Sequence, residues 1–280
     1  MTSSALLSSI TFVYGLSTFI YLYALVFKKP ETARLATWAA VIGFVGNFIG
    51  IILRWIESYR QGIGHAPLTN FYESLVFFAF TLALIYLVVE FKYKNRMIGA
   101  FIMPLSFIAM AWASLSPNIS SRIQPLIPVL KSNWLIAHVI VCFIGYAAFA
   151  VAFGLSIIYL IKQRDPAGKE GSLLGLLPKN QVLDELTHQM IMFGFIFLTA
   201  GIMTGAVWAN SAWGSYWGWD PKETWSLITW LVYAALLHAR MMHGWHGKRI
   251  AYLSIVGFAA VIFTYFGVNY LPGLHSYGSS

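Results

Sequence analysis

Charge is what this 280-residue chain has least of: 10% of its residues are Asp, Glu, Lys or Arg, against 59% that are apolar. A soluble domain carries about 25% charged residues. The shortage excludes a water-soluble globule and predicts an integral membrane protein. Cysteine is almost missing too. The single Cys142 excludes an internal disulfide and any CxxC thiol chemistry by this chain alone. The sequence holds no long polar stretch from which to build a second, soluble domain, no repeat at a fixed period and no low-complexity tract. The N-terminal string MTSSALLSSITFVYG has neither a basic n-region nor a small-residue cleavage site. It is read as a first span and not as a removed signal peptide.

What is present is apolar segments of membrane length. A helix crosses the hydrocarbon with about 20 apolar residues. Eight segments qualify, near 6–27, 35–55, 71–89, 97–115, 134–161, 190–208, 225–242 and 250–268. The expected fold class is all-α, a polytopic helical bundle forming one integral membrane domain over 1–280. The net charge of +8 is unevenly spread. Of the 18 Lys and Arg, only Arg54, Arg60, Arg122, Lys131 and Lys222 fall in even-numbered connections. That bias predicts both termini outside the cytoplasm. The basic charge is therefore read as a topology signal, not as a nucleic-acid patch. The same orientation turns the connections after spans two and six, and the tail NYLPGLHSYGSS, outward. The longest cytoplasmic connection, KQRDPAGKEGSLLGLLPKNQVLDE, reads as a solvated linker.

The densest feature is WANSAWGSYWGWDPKETW, which holds five tryptophans between Trp208 and Trp225. Indole is a flat aromatic plate with one N–H donor, and glycine lets the backbone approach a ligand closely. Such a segment suits a flat, apolar, partly charged molecule. An ionisable residue inside a span is costly and marks a functional candidate. His138, at the outer end of span five, is read either as an interfacial anchor or as a ligand. His238, thirteen residues into span seven, is read either as snorkelling toward the cytoplasm beside Arg240 or as a ligand. His275 lies in the outer tail, and alone would be an ordinary exposed residue. His243 and His246 are spaced for a metal only if helical, and Gly244 and Gly247 argue for a loop. His188 reads as interfacial, and His65 stays ambiguous. Topology places His138, His275 and the tryptophans on one side, and two neutral imidazoles suit the axial positions of a haem iron.

Asp220-Pro221-Lys222-Glu223 opens span seven. Asp is a strong N-cap, Pro suits the first helical position, and Glu three residues after the cap completes a capping box. Lys222 is out of place there, because a helix N-terminus carries positive partial charge. A nearby anion, such as a haem propionate, would offset this.

The run from Trp213 to Trp225, WGSYWGWDPKETW, resembles the WWD signature of haem-handling proteins in cytochrome c biogenesis. The flanking strings GFIFLTAGIMTGAVWA and ITWLVYAALLHAR are similar to that family's flanking spans. The outer-loop string GHAPLTNFYESLVFFAF resembles the CcsA branch, called ResC in some bacteria. The resemblance implies a subunit of the System II holocytochrome c synthase, a haem lyase completed by a CcsB/ResB-type membrane partner. Haem b would be its substrate, translocated and presented for attachment to the CxxCH thiols of apocytochrome c. Thiol-reducing thioredoxin-like proteins and the lipid bilayer are further implied partners, and nucleic acid is not one. The family's two outer haem ligands map onto His138 and His275, and its inner, transmembrane ligand onto His238. Trp213, Trp217 and Trp219 would form the platform within an extracytoplasmic segment over 208–225, with Asp220 and Lys222 beside it. The membrane would be a bacterial inner membrane or a thylakoid. Two other readings stay open at this point. One is a CcmC-like exporter that hands haem to a chaperone. The other is a transporter or scaffold for another ligand, with the tryptophans as an interfacial belt.

Overall fold

The structure, a computed structural model, describes residues 2–127, 130–164 and 173–271. Eight long helices account for most of them, and no strand occurs among the described residues. They are α1 (Ser3–Val26), α2 (Ala33–Arg60), α3 (Phe71–Tyr93), α4 (Gly99–Leu115), α5 (Asn133–Lys162), α6 (Asn180–Trp213), α7 (Pro221–His243) and α8 (Lys248–Tyr265). Each expected span thus has its helix, but several helices overrun the apolar segment that announces them. α6 begins ten residues before its apolar segment at 190 and ends five after it at 208. Hydropathy marks the extent of the apolar solvent, whereas a helix ends only where its backbone groups find other partners.

Seven of the eight helices are long and apolar enough to cross a membrane. α7 is the exception. It has 23 residues, but it also carries Lys222, Glu223, His238, Arg240 and His243. The helix richest in candidate site residues is the one that reads least like a span.

The chain divides into two compact units. The first holds α1–α4 together with residues 161–179, and in it α1 packs on α2 and α4 while α3 packs on α4 and α2. Its interior is studded with tyrosines: Tyr14, Tyr21, Tyr72 and Tyr86 are all fully buried. Its buried charges are mutually satisfied. Arg54 donates from Nε to Glu73 at 2.8 Å, and from its two other nitrogens to the carbonyls of Ser121 and Arg122. Glu90 accepts from the hydroxyls of Tyr21, Tyr86 and Thr37.

The second unit holds most of α5 with α6, α7 and α8. α5 meets α7 and α8 through aromatic rings. Phe149 stacks on Tyr233 with centroids 3.6 Å apart, and Phe153 lies 4.8 Å from Phe258. Against α6 the contact is closer and runs through glycine. A Cβ placed at Gly145 would stand 3.1 Å from the Gly194 carbonyl oxygen. At one end of this unit Arg240 is buried against Asp184 at 2.8 Å. The other end carries the tryptophan-rich loop.

Candidate functional site

The site grows from the junction of α6, the loop 214–220 and α7. α6 ends at Trp213, and Gly214 takes up a positive φ of 77° to leave it. α7 starts as its sequence predicts. Asp220 accepts from the Lys222 N–H at 2.9 Å, and Glu223 reaches back to the N–H groups of Asp220 and Gly218. The capping box is complete, with Pro221 at the first helical position. Asp220 is buried, so its carboxylate is committed to architecture.

Within the loop, Trp219 has a φ of +57°, a conformation that is uncommon outside glycine and strained for a bulky residue. Its side chain is 69% exposed. The Trp217 and Trp219 rings stand at 89° with centroids 5.7 Å apart. They form a corner and not one flat plate. Trp213 turns the other way, packing edge-on against the buried Trp208 at 4.9 Å.

His138, one turn into α5, meets α6 at this same end. Its Nδ1 lies 2.8 Å from the carbonyl oxygen of Gly201. A carbonyl only accepts, so Nδ1 carries the proton and the lone pair falls to Nε2. The imidazole is nearly parallel to Trp208, at 14° and 6.3 Å. Cys142, one turn further along α5, places Sγ 3.6 Å from Nδ1 and 4.0 Å from Nε2. The thiol therefore touches the candidate ligand.

Lys222 is half-buried, three residues ahead of the apolar segment that begins at 225. Burial holds its ammonium below the usual lysine range, opposed by the nearby Asp220 carboxylate. Among the described residues the ammonium has no hydrogen bond and no ion pair. A desolvated cation of that kind favours an incoming anion.

The structure does not gather every candidate here. His238 lies sixteen residues along α7 from Lys222, roughly 24 Å at the helical rise. Its side chain is exposed on a face shared with Leu231, Met241 and Met242, and its ring makes an edge contact with the ring of His243, centroids 5.5 Å apart. His275 lies outside the described residues. His246 stands 3.3 Å from Asp184, and no three His, Cys, Asp or Glu side chains cluster to hold a bare metal ion among the described residues. The ambiguous His65 is buried, with Nδ1 at the Ala66 carbonyl and Nε2 at the Gln124 carbonyl, which gives it a structural task. Sequence reasoning missed Trp208, Cys142, Gly201 and Gly205 as neighbours of His138. The available signal was the spacing of four between the two glycines, which puts both on one face of α6.

Comparison with known proteins bears on this arrangement. A family model described as cytochrome C assembly protein matches residues 68–275. The chain is 42% identical to the cytochrome c biogenesis protein CcsA of Guillardia theta, over 97% of this chain and 95% of that one. It is 39% identical to the protein of the same name from Porphyra purpurea, over 97% of each. Among solved structures, it is similar in fold to the cytochrome c heme lyase CcmF, with a TM-score of 0.70 at 18% identity. That likeness covers 96% of this chain, which spans half the length of the CcmF chain.

Proposed function

The chain belongs to the cytochrome C assembly protein family, and from that premise we propose that it carries haem b through the bilayer and presents it for attachment to apocytochrome c. It is a multi-pass integral membrane protein. It acts as the CcsA-type subunit of a synthase completed by a CcsB/ResB-type partner, with thioredoxin-like proteins keeping the CxxCH thiols reduced. The tryptophan segment over 208–225 faces away from the cytoplasm, in a bacterial inner membrane or a thylakoid.

One observation carries this reading: the His138 imidazole is held by a backbone carbonyl in the tautomer that offers Nε2 to a metal, beside the ring of Trp208. Metal-binding histidines are oriented in this way by the bond their other nitrogen makes. His275 supplies the opposite axial ligand. The corner formed by Trp217 and Trp219 holds the porphyrin edge, Trp213 backs it, and Lys222 meets a propionate. His238 receives haem at an inner site. Its exposure on α7 suits a second ligand that comes from the companion subunit. Thioether formation adds a thiol across a vinyl group, so the rate comes mainly from holding the two together.

The test is an absorption spectrum of the protein purified with its CcsB/ResB-type partner, together with thioether formation on a CxxCH peptide. His138→Ala is expected to lose or shift the Soret band, with recovery on adding imidazole, and to abolish thioether formation. His238→Ala is expected to lower haem loading only when the partner is present. No Soret band in protein from haem-replete cells would sink the reading. Unchanged spectra in both variants would sink the ligand assignments.

A further inference from the structure

We infer that Gly201 and Gly205 of α6 form a notch that seats the His138 imidazole and selects its ligating nitrogen, making both glycines positioning residues for haem ligation. The inference rests on the proposed role of His138 as an axial ligand.

Two small residues four apart on a membrane helix ordinarily allow two helix backbones to approach. The α5–α6 interface does contain such a contact, where Gly145 faces the backbone of Gly194. At Gly201 and Gly205 the occupant is different. A Cβ at Gly205 would lie 2.8 Å from both Cε1 and Nδ1 of His138, and the three nearest atoms all belong to that ring. A Cβ at Gly201 would lie 2.5 Å from the Cys142 Sγ. The notch is therefore filled at Gly205 by the ring, and at Gly201 first by the thiol one turn away, with the Cys142 backbone behind it at 3.6 Å.

The carbonyl that fixes the tautomer belongs to the same notch, because Gly201 supplies it. The Thr204 hydroxyl, which donates to the Ala200 carbonyl at 2.8 Å, also lies 3.1 Å from that oxygen and shares its proton with it. Glycine is needed at 205 for room: any side chain there forces the ring off the Gly201 carbonyl. Once off it, the imidazole is free to carry its proton on either nitrogen, and the tautomer is no longer preset for iron. Because the obstacle is the free end of a side chain, Gly205→Ala moves the ring while leaving the helix intact.

The experiment compares Gly205→Ala, Gly194→Ala and His138→Ala in the full chain with its partner subunit, reading haem affinity and the Soret and α bands. Gly205→Ala is expected to weaken haem binding on the order of tenfold to a hundredfold, the scale of lost ligand-orienting contacts, with recovery on adding imidazole. Gly194→Ala, which crowds Phe149 in the same interface, is expected to lower stability and leave the bands unchanged. If His138→Ala alters the bands and Gly205→Ala does not, the seat is wrong and the ligand reading stands. If neither alters them, the ligand reading fails first. Nitrogen-15 NMR of histidine-labelled, haem-free protein supplies a second readout that depends on no variant. A His138 protonated on Nδ1 supports the seat, and one protonated on Nε2 overturns it.

Discussion

Two helices of this protein begin in nearly the same way and use the beginning differently. α3 opens on Asn70-Phe-Tyr-Glu73 and α7 on Asp220-Pro-Lys-Glu223. In each, the first residue caps the helix and the glutamate reaches back to N–H groups before it. At α3 the arrangement is closed by a cation. Arg54 binds Glu73 at 2.8 Å with both side chains almost wholly buried, and its guanidinium lies 5.0 Å from the centroid of the Tyr72 ring. At α7 the nearest cation is Lys222, which pairs with neither carboxylate. Its own helix end repels it. The first end is complete in itself. The second keeps a cation close to Asp220 and Cys142. A cap is therefore not a site; what sets the second end apart is a cation with no hydrogen bond or ion pair among the described residues.

That contrast is open to direct attack, and the largest effect is expected at α3. Arg54→Gln leaves Glu73 buried without its partner, and removing one member of a buried pair costs about 3–5 kcal/mol. Thermal unfolding in detergent checks this, and the haem bands of the surviving folded fraction should be unchanged. A cost below about 1 kcal/mol would mean that the pair is not what closes this end. At α7 the expectation reverses. Lys222→Ala should leave the unfolding curve nearly in place and weaken haem retention. A lost charge-assisted bond of about 1.5–3 kcal/mol corresponds to on the order of tenfold or more. Haem titration reads it, with Lys222→Arg expected to restore part of the affinity. Retention equal to wild type would remove Lys222 from the site. The smallest effect belongs to the cap. Asp220→Ala should cost about 1 kcal/mol of stability and Asp220→Asn much less, both read from unfolding midpoints. If Asp220→Asn instead loses haem with no change in stability, Asp220 contacts the ligand and its architectural assignment fails.

Much of this was legible before any fold was known, because it depends on local chemistry. Apolar segments of membrane length marked all eight helices. The Asp220 cap followed from four consecutive residues, and His138 stood out as an imidazole in an apolar run. What escaped had a common cause. Arg54 looked like a connection residue, yet α2 continues through it and buries it against Glu73, nineteen residues on. The contacts of Cys142 escaped because its neighbour on α6 is set by how the two helices face each other. His238 is inside a helix, but which way it points is decided by the packing of the rest of α7. His65 was ambiguous because only one of its partners, Ala66, is local; the other, Gln124, lies 59 residues further along the chain.

The sequence by itself determined the solvent this protein lives in, the eight apolar segments that become its long helices, the cap that starts α7 and the residue types proposed to meet a haem. Those properties come from transfer free energy and from hydrogen bonds between residues a few positions apart. The tertiary structure alone decided that α5 and α6 meet through glycine, so that one carbonyl of Gly201 reaches Nδ1 of His138 and the space above Gly205 holds its ring. It also decided that Arg54 has an ion-pair partner and that Lys222 has no hydrogen bond or ion pair among the described residues. Pairing across helices depends on register and facing, and no local pattern encodes either.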